Sequence, residues 1–369
     1  MKRAAAAAIS LMTGLAMLTG CSRAEVKETI QPLVADAIEE SDSEAEAVKE
    51  EDESPLITEI DTDIKIHAGS RIAVVSKCVK GEYWKMVKKG MEDAVKEINK
   101  AYGYKKDDQI TMTFEGPDNE EDVETQINTI DAVIAENPDV LCISASDMDS
   151  CEAQLEAAKE NGIPVIAFDS NVAEKKLVKA YRGTDNVQVG KMAAYQLGSA
   201  LGKMGKVAVF SAQQKTKSVQ DRVEGFMNNI GKYGDIEVVE TIYSDQVDDM
   251  EASMKEVLEK YPTLDGVFCT NADITEMYLN LEKSDEHDAP ALVGVDATTK
   301  QQEAIRNGEE IGCVSQQPYA MGYQTIWAAV ETTAPKKSVV IEKNVLSNPA
   351  WIDADCLDDP DYSGYLYTE

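Results

Sequence analysis

Residues 161–171, NGIPVIAFDSN, decide how this chain is read. The stretch opens on Asn161-Gly162, a helix-stop signal. Residues 163–168 are then apolar, with Pro164 at the start of the run, where a strand tolerates a proline. A short apolar run rich in β-branched residues is what a strand buried on both faces needs. It ends abruptly in Asp169, Ser170 and Asn171: a carboxylate, a hydroxyl and an amide at the strand's carboxyl end. In open α/β sheets ligands bind at that end. The same residue types also make ordinary turns, so the other strands must decide between a site and a turn.

Working outward, strand and helix patterns alternate from Arg71 onward. Strands are predicted over 72–76, 110–114, 140–143 and 163–168, with helices over 84–98, 123–134 and 151–160 between them. Residues 179–185 carry the chain onward, and the pattern restarts. Strands follow over 206–211, 236–243, 266–270, 291–295, 311–315 and 339–345, separated by helices over 189–201, 219–230, 250–260, 274–281, 299–306 and 319–330. Repeated βα units with short loops imply parallel sheets covered by helices. So many units predict an α/β chain of two doubly wound parallel-sheet lobes rather than one wide sheet.

The strand ends share one chemistry. The strands end in Ser144 and Asp147, in Ser211 with Gln213 and Gln214, in Ser244 and Asp245, in Asn271 and Asp273, in Asp296, and in Ser315 with Gln316 and Gln317. Turn chemistry alone would mix in more Gly and Lys. Two lobes facing each other would line one cleft with these groups. Carboxylates accept from hydroxyls, amides donate and accept, and an arginine donates, a set that suits a polyhydroxylated ligand. Tyr83-Trp84, after the first strand, offers a ring to the cleft. Two adjacent aromatics at a helix start are either both core or, because neighbours on a helix point about 100° apart, one of them faces the cleft. Arg222, early in its helix, is either solvated or a cleft donor. Lys77 and Lys80, near the first strand's end, either add positive charge there or are, by default, surface lysines.

The chain has 369 residues, 43% hydrophobic and 28% charged, with a formal net charge of −32. That charge excludes nucleic acid and anionic membrane surfaces as partners. Lys2-Arg3 followed by an apolar run to Gly20 reads as an export signal, too short for a membrane span. It closes in Leu18-Thr19-Gly20-Cys21, which resembles the lipobox of bacterial lipoproteins and implies a lipid anchor on Cys21. Residues 22–69 are acidic and poor in large apolar residues, and are expected to be a disordered linker. Six further cysteines form no CxxC pair and mostly sit in apolar strands, as buried thiols do. With only His67 and His287, neither a zinc site nor a histidine triad is expected, and no nucleotide-binding loop is present.

The fragments GEYWKMVKKGMEDAVKE, NPDVLCISASD, NGIPVIAFDSN, TDNVQVGKMAA, DRVEGF, FCTNAD, VGVD and SQQP stand in this order over residues 70–350. Together they resemble the ribose-binding-protein type of periplasmic sugar-binding protein. The resemblance implies a type 1 periplasmic binding protein, its lobes joined by a three-segment hinge near 182–185, 316–318 and 345–351. One lobe would hold residues 70–183 and 317–345, the other 184–316 and 346–369. It further implies Tyr83 and Trp84 as stacking aromatics, with Ser144, Asp169, Arg222, Asn271, Asp296 and Gln316 as hydrogen-bonding groups. Asp245 joins this set as a strand-end carboxylate. Two departures point away from ribose itself: no aromatic stands at Asp245-Gln246-Val247, and Ser170 replaces an arginine.

The function expected is a lipid-anchored, extracytoplasmic monomer that binds a monosaccharide or polyol without cofactor or metal and hands it to an ABC permease. Alternatives are a sensor module for a membrane kinase or chemoreceptor, and a binder of a furanosyl signalling molecule. A glycosidase using Asp169 and Asp296 would need a carboxyl of raised pKa, which a nearby Arg222 opposes.

Overall fold

The computed structural model describes residues 60–281, 289–335 and 339–368. Cys21, the export signal, the linker as far as residue 59 and His287 lie outside the described residues.

Two six-stranded sheets organise the chain. The first runs in the order β11-β5-β4-β3-β1-β2. Its strands are β1 Arg71–Val75, β2 Thr111–Glu115, β3 Val140–Ile143, β4 Val165–Phe168, β5 Ala180–Thr184 and β11 Asn344–Ser347, all parallel to their neighbours. The second runs in the order β12-β10-β9-β8-β6-β7. Its strands are β6 Met204–Ser211, β7 Asp235–Tyr243, β8 Gly266–Cys269, β9 Ala291–Val295, β10 Gly312–Ser315 and β12 Ala350–Ile352, with only β12 antiparallel. In each sheet the first strand, β1 or β6, is flanked by the next two in sequence. The strand order reverses there, which makes the carboxyl end of each sheet a topological switch point.

Helices α1 Gly81–Ala101, α2 Val123–Ala135 and α3 Glu152–Glu160 belong to the first sheet. The second carries α4 Asn186–Ala200, α5 Lys217–Ile230, α6 Met250–Lys260, α7 Ala272–Leu279 and α8 Thr299–Asn307. Helix α9, Pro318–Thr332, returns to pack on α1. Alternate strand residues explain the layers. Ile72 and Val74 of β1 join the core under α1 and α9, whereas Ala73 and Val75 join the core under α2 and α3. Val207 and Val209 of β6 likewise face α4 and α5, and Ala208 and Phe210 face α6 and α7. The chain passes between the sheets at three points: between Thr184 and Asn186, between Ser315 and Pro318, and between Ser347 and Ala350.

Four expectations change. Residues 60–69 are not linker: Ile66 is buried, the Tyr102 hydroxyl donates to the Ile64 carbonyl, and Gly69 N donates to Asp108 O. Three isoleucines scattered among acidic residues supply that anchorage, which average composition hides. The passage 179–185 contains a strand, β5. The last strand lies at 344–347 instead of 339–345, which moves the final crossing past residue 345. A twelfth strand, β12, follows. All six cysteines of the described residues are free thiols, and only Cys356 is not fully buried.

Helices α4 and α5 touch backbone to backbone through two glycines. A Cβ on Gly190 would lie 2.0 Å from the Arg222 carbonyl oxygen, and one on Gly225 would lie 2.2 Å from that of Val187. The contact holds the turn that carries Arg222. Gly190→Ala is predicted to cost about 1–3 kcal/mol through overpacking. Thermal unfolding would show a lower melting temperature; an unchanged one would contradict this packing.

Candidate ligand-binding cleft

The carboxyl ends of both sheets face one cavity of about 280 Å³ between the lobes. Its two central carboxylates are matched. Asp169 follows β4 and Asp296 follows β9, each in the left-handed backbone region, at φ 55° and 79°. Aspartate tolerates that region better than most residues. Both side chains are buried.

Each aspartate is met by three donors. Asp169 Oδ1 accepts from the Tyr83 hydroxyl at 2.6 Å, and Oδ2 accepts from Ser144 Oγ at 2.8 Å and pairs with Lys77 Nζ at 3.0 Å. Burial opposes the charge on Asp169, but Lys77 and the two hydroxyls outweigh it and hold the carboxyl below its usual range. Burial likewise opposes the charge on Lys77, and Asp169 with Glu120 raises its pKa nonetheless. Asp296 Oδ1 accepts from Gln316 Nε2 at 2.7 Å and from the Tyr367 hydroxyl at 2.9 Å, and Oδ2 accepts from Ala272 N at 3.0 Å. An ionised carboxylate has about four acceptor places. Each therefore keeps about one for a ligand.

Arg222 is buried and lines the cavity. Its Nε donates to Asn186 Oδ1 and its Nη1 to Thr270 O, both at 2.8 Å. Asn186 is fixed in turn by donating to Thr184 O, so the first crossing segment aims the guanidinium. Asn271 caps α7 through Oδ1 and also lines the cavity. Tyr83 and Trp84 both line it, edge to face at 5.1 Å and 86°, and the indole Nε1 donates to Glu120 Oε1 at 2.7 Å.

The structure thus brings together Tyr83, Trp84, Asp169, Arg222, Asn271, Asp296 and Gln316 along the cavity wall. Ser144 stands behind them as a support for Asp169. Asp245 does not join them: it is exposed and accepts from Gln214 N. The choice for Tyr83 and Trp84 between two core rings and one cleft ring is corrected as well. Gly81 and Lys85 of the first turn face solvent, while both rings are buried against Phe168 and Tyr367 and both reach the cavity. Sequence reasoning missed Asn186 and Tyr367 and underrated Lys77. Lys77 was signalled, because Ser76-Lys77 ends β1 as the other polar pairs end their strands.

The lobes are closed on each other. Thr299 N donates to Glu82 Oε2 at 2.7 Å, Gln213 Nε2 to Glu120 O at 3.0 Å and Thr216 Oγ1 to Ser146 O at 2.6 Å; Ser244 also bonds Glu121. Seven acidic residues line the cavity against three basic ones. A wall so rich in acceptors selects a ligand rich in donors. Among the described residues no cluster is arranged to hold a metal ion.

The family profile described as periplasmic binding protein domain matches residues 72–337. The ribose import binding protein RbsB of Bacillus subtilis is 26% identical over 60% of this chain and 71% of its own. The xylitol-binding protein of Mycolicibacterium smegmatis is 25% identical over 57% of this chain and 60% of its own. Among solved structures, an ABC transporter solute binding protein from Agrobacterium vitis with bound D-fucose superposes with a TM-score of 0.72 at 26% identity, covering 81% of this chain and all of that one. A second protein from that organism, bound with alpha-D-tagatopyranose, shares the fold at 24% identity and a TM-score of 0.73, with the same coverage.

Asp273 supplies a test of the wall's charge. The residue is exposed at the cavity, with its carboxyl turned toward the acidic wall. Partial desolvation there, with Glu120, Glu276 and Asp296 nearby, pushes it up to about 7. A carboxyl raised in the folded state binds more protons there than in the unfolded chain, so its effect is unfavourable and grows as pH rises from about 4 to 7. Asp273→Asn is predicted to raise the melting temperature at pH 8 and to leave it unchanged near pH 4. An equal gain at both would contradict this reading of the site.

Proposed function

Because this chain belongs to the periplasmic binding protein domain family, with the ribose-binding kind among its relatives, we propose that it binds a monosaccharide or polyol between its lobes and delivers it to an ABC permease. The observation that carries this reading is the matched pair of strand-end aspartates, one from each lobe, on a single donor-seeking cavity. A ligand with hydroxyls on opposite edges bonds both lobes only when they are closed. Binding therefore shifts the population toward the closed form, which the permease reads. One of the two perpendicular rings, Tyr83 or Trp84, offers its face to the C–H face of a sugar ring, and Arg222 donates to a ligand oxygen. The chain acts as a binder without resident cofactor or metal. It works outside the cytoplasm as a monomer, held to the membrane by lipid on Cys21.

Ribose, xylitol and D-fucose, named with the relatives, open the ligand panel, followed by other pentoses, hexoses and inositols. A ligand at 100 times its dissociation constant adds about 2.7 kcal/mol of stability, visible as a thermal shift. Silence across the panel from folded protein would sink the ligand class. For any ligand that binds, Arg222→Ala is predicted to weaken affinity by on the order of 2–5 kcal/mol, since it leaves buried groups unpaired. An unchanged dissociation constant in calorimetry would remove Arg222 from the site. Cys21→Ala is predicted to move the protein from the membrane fraction to the soluble fraction, and retention on the membrane would refute the anchor.

A further inference from the structure

Tyr367 lies beyond β12, in a stretch that belongs to neither sheet. Its side chain is nevertheless only 1% exposed. After β12 the chain passes through a tight turn at Pro360–Tyr365 and comes back to the cleft. Three bonds tie this return to the second lobe: Ser315 Oγ donates to Tyr365 O, Tyr367 N to Ala297 O, and Gln302 Nε2 to Tyr367 O. The ring crosses to the first lobe, joins its core with Tyr83 and Trp84, and lies 5.8 Å from the Tyr83 ring at 57°. Its hydroxyl donates to Asp296 Oδ1 at 2.9 Å. A continuous chain of Asp169, Tyr83, Tyr367 and Asp296 thus spans the two lobes.

The placement has two consequences for a ligand. The phenol packs against two residues that line the cavity, the Tyr83 ring and the Asp296 carboxylate, and forms the wall directly behind them. It also occupies one acceptor place on Asp296. The remaining cavity, about 280 Å³, falls just below the roughly 300–1,000 Å³ usual for small-molecule sites.

We propose that Tyr367 is a specificity-determining residue, a stop delivered by the C-terminal tail that restricts the cleft to ligands of a single ring or a short polyol. The proposal rests on the binding reading given above. Removing the ring opens room beside Tyr83 and frees Asp296 Oδ1, so the cleft then admits a second ring. Removing only the hydroxyl frees the acceptor without making room.

The test is calorimetric titration of the full chain and its Tyr367→Ala and Tyr367→Phe variants. The probes are ribose, D-fucose and xylitol on one side and the disaccharides maltose and cellobiose on the other. The wild type is expected to bind at least one small probe and neither disaccharide. Tyr367→Ala is expected to raise disaccharide affinity relative to the small probe by about tenfold or more, and Tyr367→Phe to keep the size limit. A ratio of affinities is insensitive to a general loss of stability. If Tyr367→Ala does not fold, Tyr367→Val answers the same question with a smaller void. An unchanged ratio in a folded variant overturns the role of Tyr367 and leaves the cleft reading intact. A wild type that binds neither these small probes nor any member of the wider sugar and polyol panel overturns that reading, and a wild type that already binds a disaccharide overturns the stop.

Discussion

A charged carboxylate buried at a strand end must be met by donors on every side, and that demand organises this molecule. Leaving one partner out costs several kcal/mol, because the remaining charge stays buried and unpaired. Asp169 recruits Lys77 from the end of β1, Ser144 from the end of β3 and Tyr83 from the start of α1. Asp296 recruits Gln316 from a crossing segment, Ala272 from the start of α7 and Tyr367 from the tail. Each aspartate thereby fixes where several elements end relative to one another. Both lobes apply the same device at equivalent places in the same strand order, which puts two pre-ordered acceptors on one cavity.

Apart from the Tyr367 ring, which joins the first lobe's core, the contacts between the lobes differ in kind from those within them. Inside each lobe, alternate residues of the strands bury apolar side chains on both faces of the sheet. Between the lobes the rim contacts are hydrogen bonds such as Thr299 N to Glu82 and Thr216 to the Ser146 carbonyl. Each such bond adds about 0.5–1.5 kcal/mol net, because water replaces it on opening. A closed form held this way lies within reach of the free energy of one small ligand. That balance is what a binding protein needs if it is to release its cargo.

Much of this was legible in the letters, and the gaps have physical causes. Period-2 and period-3.6 patterns mark most of the elements, and the rule of polar strand ends picks out Asp169, Asn271, Asp296 and Gln316. The rule misplaces Asp245, because β7 is an edge strand whose end lies outside the cavity. It also underrates Lys77, since burial of a lysine depends on carboxylates that are near only in space: Glu120 and Asp169 come 43 and 92 residues later. Asn186 shows its role only once Arg222 folds against it. Tyr367 carries no local signal at all, as its partners Tyr83 and Asp296 are set by the path of the whole tail. Residues 60–69 hide three anchoring isoleucines inside an acidic run.

The account stands on one claim, that a single ligand is held by the strand-end aspartates of both lobes at once. A crystal structure of the protein with the sugar or polyol that stabilises it tests this most directly. The account predicts ligand hydroxyls within hydrogen-bonding distance, roughly 2.6–3.0 Å, of both Asp169 and Asp296. A ligand that touches only one of them, or lies outside the cleft, would contradict it.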